Sequence, residues 1–176
     1  MLAKAMTVIT EIFKTSDCQP FPSSSPSSIA LCFEVVEFFE HSLLAEVIRA
    51  FLDSTNVRDW ITHSTTYAVM LDLLRYMLEG GSTSICGIMD VELRRIERSC
   101  GLGEWILGRG EIDWVSEGGH DVAFAIPLKD LIPGLEKYRK SLWELSARIT
   151  LASTVEKLNM LCDRISQLVL SQVIGV

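Results

Sequence analysis

The sequence predicts an all-α fold: a bundle of about six helices ending in an antiparallel helical hairpin, with room for one short β-hairpin. Three observations carry this. Apolar residues recur at three- and four-residue spacing over most of the chain. Capping and stop residues fall between those runs. The C-terminal third holds two consecutive leucine-rich seams separated by only a few residues.

Residues 2–14 form one short helix, with Val8, Ile9, Ile12 and Phe13 on one face. Pro20, Pro22 and Pro26 then lie among serines up to Ser28, a composition that cannot continue a helix. Residues 1–28 are therefore read as an N-terminal helix plus a Ser/Pro-rich linker, and 29–176 as one helical domain. Ser28 caps the next helix, which runs to about Leu52. Val35, Val36, Phe38 and Phe39 make it apolar most of the way round, as expected of a helix buried by several neighbours.

Asp53-Ser54-Thr55-Asn56 interrupts the helical pattern, and Asn56 is placed to cap a short turn through Val57, Trp60 and Ile61. A helix follows from Ser64 to Glu79, where Tyr67, Met70, Leu71, Leu74, Met77 and Leu78 share one face. Gly80-Gly81 ends it. Residues 86–100 read as a further helix stopped by Gly101. The stretch after it is rich in glycine, and 111–115 and 122–126 read as two short strands.

In the hairpin, 128–174, Leu128, Leu131, Leu135, Tyr138, Leu142, Leu145 and Ile149 form the first seam. Leu151, Val155, Leu158, Cys162, Ile165 and Val169 form the second. Ser153-Thr154-Val155-Glu156 has the pattern of a capping box, so the second helix is expected to begin there. Leu161, Leu168 and Leu170 lie off its seam. Pro127 opens a short turn, and Pro133 falls in the first turn of the longer helix. Glu136, Lys140, Glu144 and Arg148 are spaced for a ladder of i,i+4 ion pairs.

Bulk composition narrows function by exclusion. The net charge of -7 and the pI near 5.0 disfavour a nucleic-acid surface, because phosphate binding needs a basic stripe. Arg94, Arg95 and Arg98 are interleaved with Glu92 and Glu97 and read as a solvated face. The most apolar stretch, 29–52, carries too many charges for a membrane span. Cys18, Cys32, Cys86, Cys100 and Cys162 are odd in number and contain no CxxC pair. This suits a reducing compartment, cytoplasmic or nuclear. The mean hydropathy of +0.28 implies either a large packed core or surface hidden against a partner.

Catalytic patterns are absent. There is no HExxH, CxxC or histidine cluster for zinc. Glu37 and His41 have the wrong spacing for a carboxylate-bridged di-iron bundle. Gly103 to Gly108 has P-loop glycine spacing, but Arg109-Gly110 stands where Lys-Ser/Thr is required. No Gly-x-Ser-x-Gly elbow occurs. No catalytic, cofactor-binding or metal-ligating residue is therefore assigned. Cys100 falls near the end of a helix, where the dipole disfavours a thiolate, and reads as a structural thiol; Cys86, before Gly87 in a loop, is a structural thiol or, with His63 or His120 as base, a nucleophile. Trp105, Arg109, Trp114 and His120, in the glycine-rich stretch, are the candidate partner-binding residues.

One segment resembles a known family. Ser54-Thr55-Asn56-Val57-Arg58-Asp59-Trp60-Ile61-Thr62-His63 is followed by Tyr67-Ala68-Val69-Met70-Leu71-Asp72-Leu73-Leu74-Arg75. Over about twenty residues it is similar to the helical region ahead of the catalytic domain in giant inhibitor-of-apoptosis-type ubiquitin-conjugating enzymes. The resemblance implies an accessory helical segment that positions a catalytic domain or recruits a partner. The His-Pro-Asn motif of the conjugating fold is absent, since no histidine precedes a proline, so no active-site residue carries over. The expectation is a non-catalytic helical interaction or scaffold module bound to another protein, a neighbouring domain or itself. The alternative is a small-ligand-binding or cysteine-dependent helical enzyme domain, with its site between 33–39 and the glycine-rich segment.

Overall fold

In the computed structural model of the chain, the described residues are 3–4, 6–8, 10–11, 44–79, 89–90, 93–94, 96–100, 104, 107–114, 124–125 and 127–174. The elements are α1 (Leu44–Leu52), α2 (Val57–Thr62), α3 (Ser64–Glu79), β1 (Leu93–Arg94), β2 (Ile96–Ser99), β3 (Ile112–Trp114), β4 (Phe124–Ala125), α4 (Leu128–Leu131), α5 (Leu135–Ser146) and α6 (Ala152–Ile174). The fold is predominantly helical, with the expected C-terminal hairpin.

Residues 6–8, 10 and 11 are helical, within the N-terminal helix expected over 2–14. Met6 from this segment is fully buried in the core. The linker, and the part of the second helix before Leu44, lie outside the described residues. Over α1, Ala45, Ile48, Ala50, Phe51 and Leu52 are buried.

Asn56 caps α2 as its side-chain type dictates: its Oδ1 accepts from the backbone N–H of Arg58 at 3.1 Å and of Asp59 at 3.4 Å. α3 spans the sixteen residues the periodicity marks. α6 is the organising element, packing against both α5 and α3. Leu158, Cys162 and Ile165 belong to the seam read from sequence. Leu161 and Leu168, off that seam, are fully buried as well, because α6 has a second neighbour in α3.

Several expectations are corrected. Residues 93–94 and 96–99 are strands and not the end of a helix. β3 and β4 fall inside the two stretches expected to be strands, but they do not pair with each other. β3 pairs antiparallel with β2, Ile96 opposite Trp114 and Ser99 opposite Ile112. β4 pairs antiparallel with β1, Leu93 opposite Ala125. The β2–β3 register slips between Ile96 and Arg98, a bulge that adds local twist. Helix propensity over Leu93–Arg94 and Ile96–Ser99 is thus overridden by two returning segments that supply backbone partners from outside them.

In the hairpin, Pro127 does open the short turn α4. Pro133 lies before α5, in the turn joining it to α4, because the helix proper starts at Leu135 after Gly134. α6 begins at Ala152, and Thr154 and Val155 both donate to the Leu151 carbonyl. Ser153 is thus inside the first turn and does not cap it. The i,i+4 ladder does not form: Glu136 bonds Arg139, three residues on, at 2.7 Å to its Nε. A bidentate fork–carboxylate contact outcompetes the longer reach to Lys140. Among the described residues, no helix is long and apolar enough to cross a membrane.

Candidate functional site

Two surfaces are built by this fold, and the first depends on an aromatic anchor within the segment 54–75. Trp60, 1% exposed, stacks on Tyr67 with ring centroids 4.3 Å apart and on Tyr138 at 5.7 Å. The polar tips of the three rings converge on the loop after α1. The Trp60 Nε1–H donates to the Ser54 carbonyl at 3.0 Å, and the Tyr138 hydroxyl donates to the Asp53 carbonyl at 3.3 Å. The Tyr67 hydroxyl donates to Asp59 Oδ2 at 2.7 Å and lies 3.4 Å from the Phe51 carbonyl. Buried aromatics with polar handles need such partners. Burial, then the Asp59 carboxylate, pushes the Tyr67 hydroxyl far above its ordinary pKa. His63 Nε2 sits 3.8 Å from the other Asp59 oxygen. Trp60, Tyr67 and Tyr138 therefore hold the loop 53–56 in place.

The first surface is a cleft of about 420 Å³ between that loop and β2. Arg49, Asp53, Asn56, Glu97, Arg98 and Cys100 are among its lining residues. Cys100 follows a strand, not a helix, so the helix-dipole argument against its thiolate does not apply. Burial raises its thiol pKa, and the nearby carboxylates of Glu104, Asp113 and Asp59 raise it further. A thiol held protonated is a poor nucleophile. His63 is placed at the C-cap of α2 against Asp59, and it is not among the cleft's lining residues. Behind Cys100, Gly110 approaches so closely that a Cβ there would lie 2.6 Å from the cysteine Cβ.

The second surface is the outer side of the α5–α6 hairpin. The seam positions Leu135, Tyr138 and Leu142 point α5 inward, which leaves Trp143 59% exposed. Leu151, between the helices, is 63% exposed, and Leu170 and Val173 are exposed further along α6. An exposed indole on a regular helix is a strong anchor for a protein contact. Sequence reasoning did not select Trp143. The signal was available, because it falls outside the three-four seam of its own helix.

Of the four candidate partner-binding residues, Arg109 is exposed in the loop before β3, and its N–H donates to the Glu104 carbonyl at 2.9 Å. Gly108, immediately before it, has φ +65°, the left-handed conformation that favours glycine. Trp114 lies in β3 opposite Ile96. Trp105, His120 and Cys86 lie outside the described residues. Among the described residues, no group of three or more His, Cys, Asp or Glu side chains is placed to hold a metal ion. No family model, no curated protein and no solved structure matches the chain.

Proposed function

We propose that the chain is a helical protein–protein interaction or scaffold module. The observation that carries this is the hairpin surface, where Trp143 on α5 and Leu151 in the connection to α6 stand exposed beside two closely packed helices. A solvated indole with no structural task of its own is costly to keep, and a partner surface gives it one. The family resemblance adds a context: an accessory segment in a ubiquitin-conjugation protein, holding a partner while a separate domain does chemistry.

Cross-linking and pull-down with the full chain test the reading, with W143S as the control. The expected result is a polypeptide, or a second copy, captured by wild type and lost in W143S. Equal capture by both proteins, or none, would sink it.

The cleft beside Cys100 favours a second reading, a ligand-binding or cysteine-dependent domain. Its polar lining and volume suit a small polar ligand. Thiol-reactivity profiling separates the two: a Cys100 that alkylates faster than an ordinary thiol supports the second reading.

A further inference from the structure

We draw no further inference here: the strongest candidate, the cleft between the loop after α1 and β2, belongs to the site already described, and its two arginines, Arg49 and Arg98, stand against the two carboxylates of Asp53 and Glu97, a lining that favours no one ligand chemistry.

Discussion

Asp72 of α3 and Arg164 of α6 are joined by a hydrogen bond of 2.8 Å, and they stand 92 residues apart in the chain. The same separation recurs in the next two links between these helices. Arg75 donates to Gln167 at 2.9 Å, and Ser171 donates to Glu79 at 2.6 Å. A constant offset over three successive turns means that α3 and α6 run parallel and in fixed register. Beneath these polar links the apolar faces of the two helices close the core, with Leu71, Leu74, Leu161 and Leu168 buried.

The register contact is partly exposed, so its energy is modest. R164A is expected to lower stability by about 0.5–1 kcal/mol, and the loss should shrink at high salt. Urea denaturation midpoints at low and high ionic strength check both parts. A loss above several kcal/mol would mean the pair is far more buried than the geometry shows.

Tyr67 makes the protein sensitive to alkaline pH. Its folded-state pKa is raised, by burial first and then by Asp59. Its stabilising contribution is therefore fully present below the unfolded value and is lost as pH climbs above it. The unfolded tyrosine ionises near pH 10, whereas the folded one stays protonated. Wild type should lose about 1.4 kcal/mol per pH unit above that point on account of this residue. Y67F should lack that component while being less stable at neutral pH by about 1–2 kcal/mol, since Asp59 loses a donor. Denaturation of both proteins across the alkaline range gives the difference.

Gly110 is packed against Cys100 with no room for a methyl group. G110A would place a Cβ 2.6 Å from the Cys100 Cβ and 3.0 Å from its Sγ. The cysteine Cβ is fixed to backbone, so the β2–β3 pair must shift, at about 1–3 kcal/mol. C100G should relieve the clash, making the double variant more stable than the sum of the single effects. Additive losses in thermal melts would argue against direct contact.

Cys162 is 4% exposed, its Sγ lies 3.6 Å from the Arg139 carbonyl, and burial raises its thiol pKa. Alkylation at this position is expected to follow global unfolding of the hairpin and to be undetectable in native buffer. Mass-spectrometric mapping of labelled peptides against denaturant concentration tests it. Fast native labelling of Cys162 would mean the α5–α6 seam opens locally.

Local signals were legible wherever neighbouring residues suffice. Asn56 as cap, the span of α3 and the hairpin seam are cases in which one side chain or one helical face decides the outcome. The candidate site was less legible. The loop aromatics stand out because they sit among glycines, whereas Trp143 sits inside a regular helix, off the seam of that helix. Only the inward rotation of Leu135, Tyr138 and Leu142 leaves it outside.

By itself, then, the sequence determined the helices that are amphipathic over several turns, the Asn56 cap of α2 and the antiparallel return from α5 to α6. These follow from contacts within a few residues along the chain. Tertiary structure decided the rest. It made strands of Leu93–Arg94 and Ile96–Ser99, because β4 and β3 complete their hydrogen bonds from a distance. It buried Leu161 and Leu168, because α3 lies along a second face of α6. It also set Asp72 beside Arg164 across 92 residues, a proximity that no local period encodes, since it arises only when two separately amphipathic helices bury their faces together.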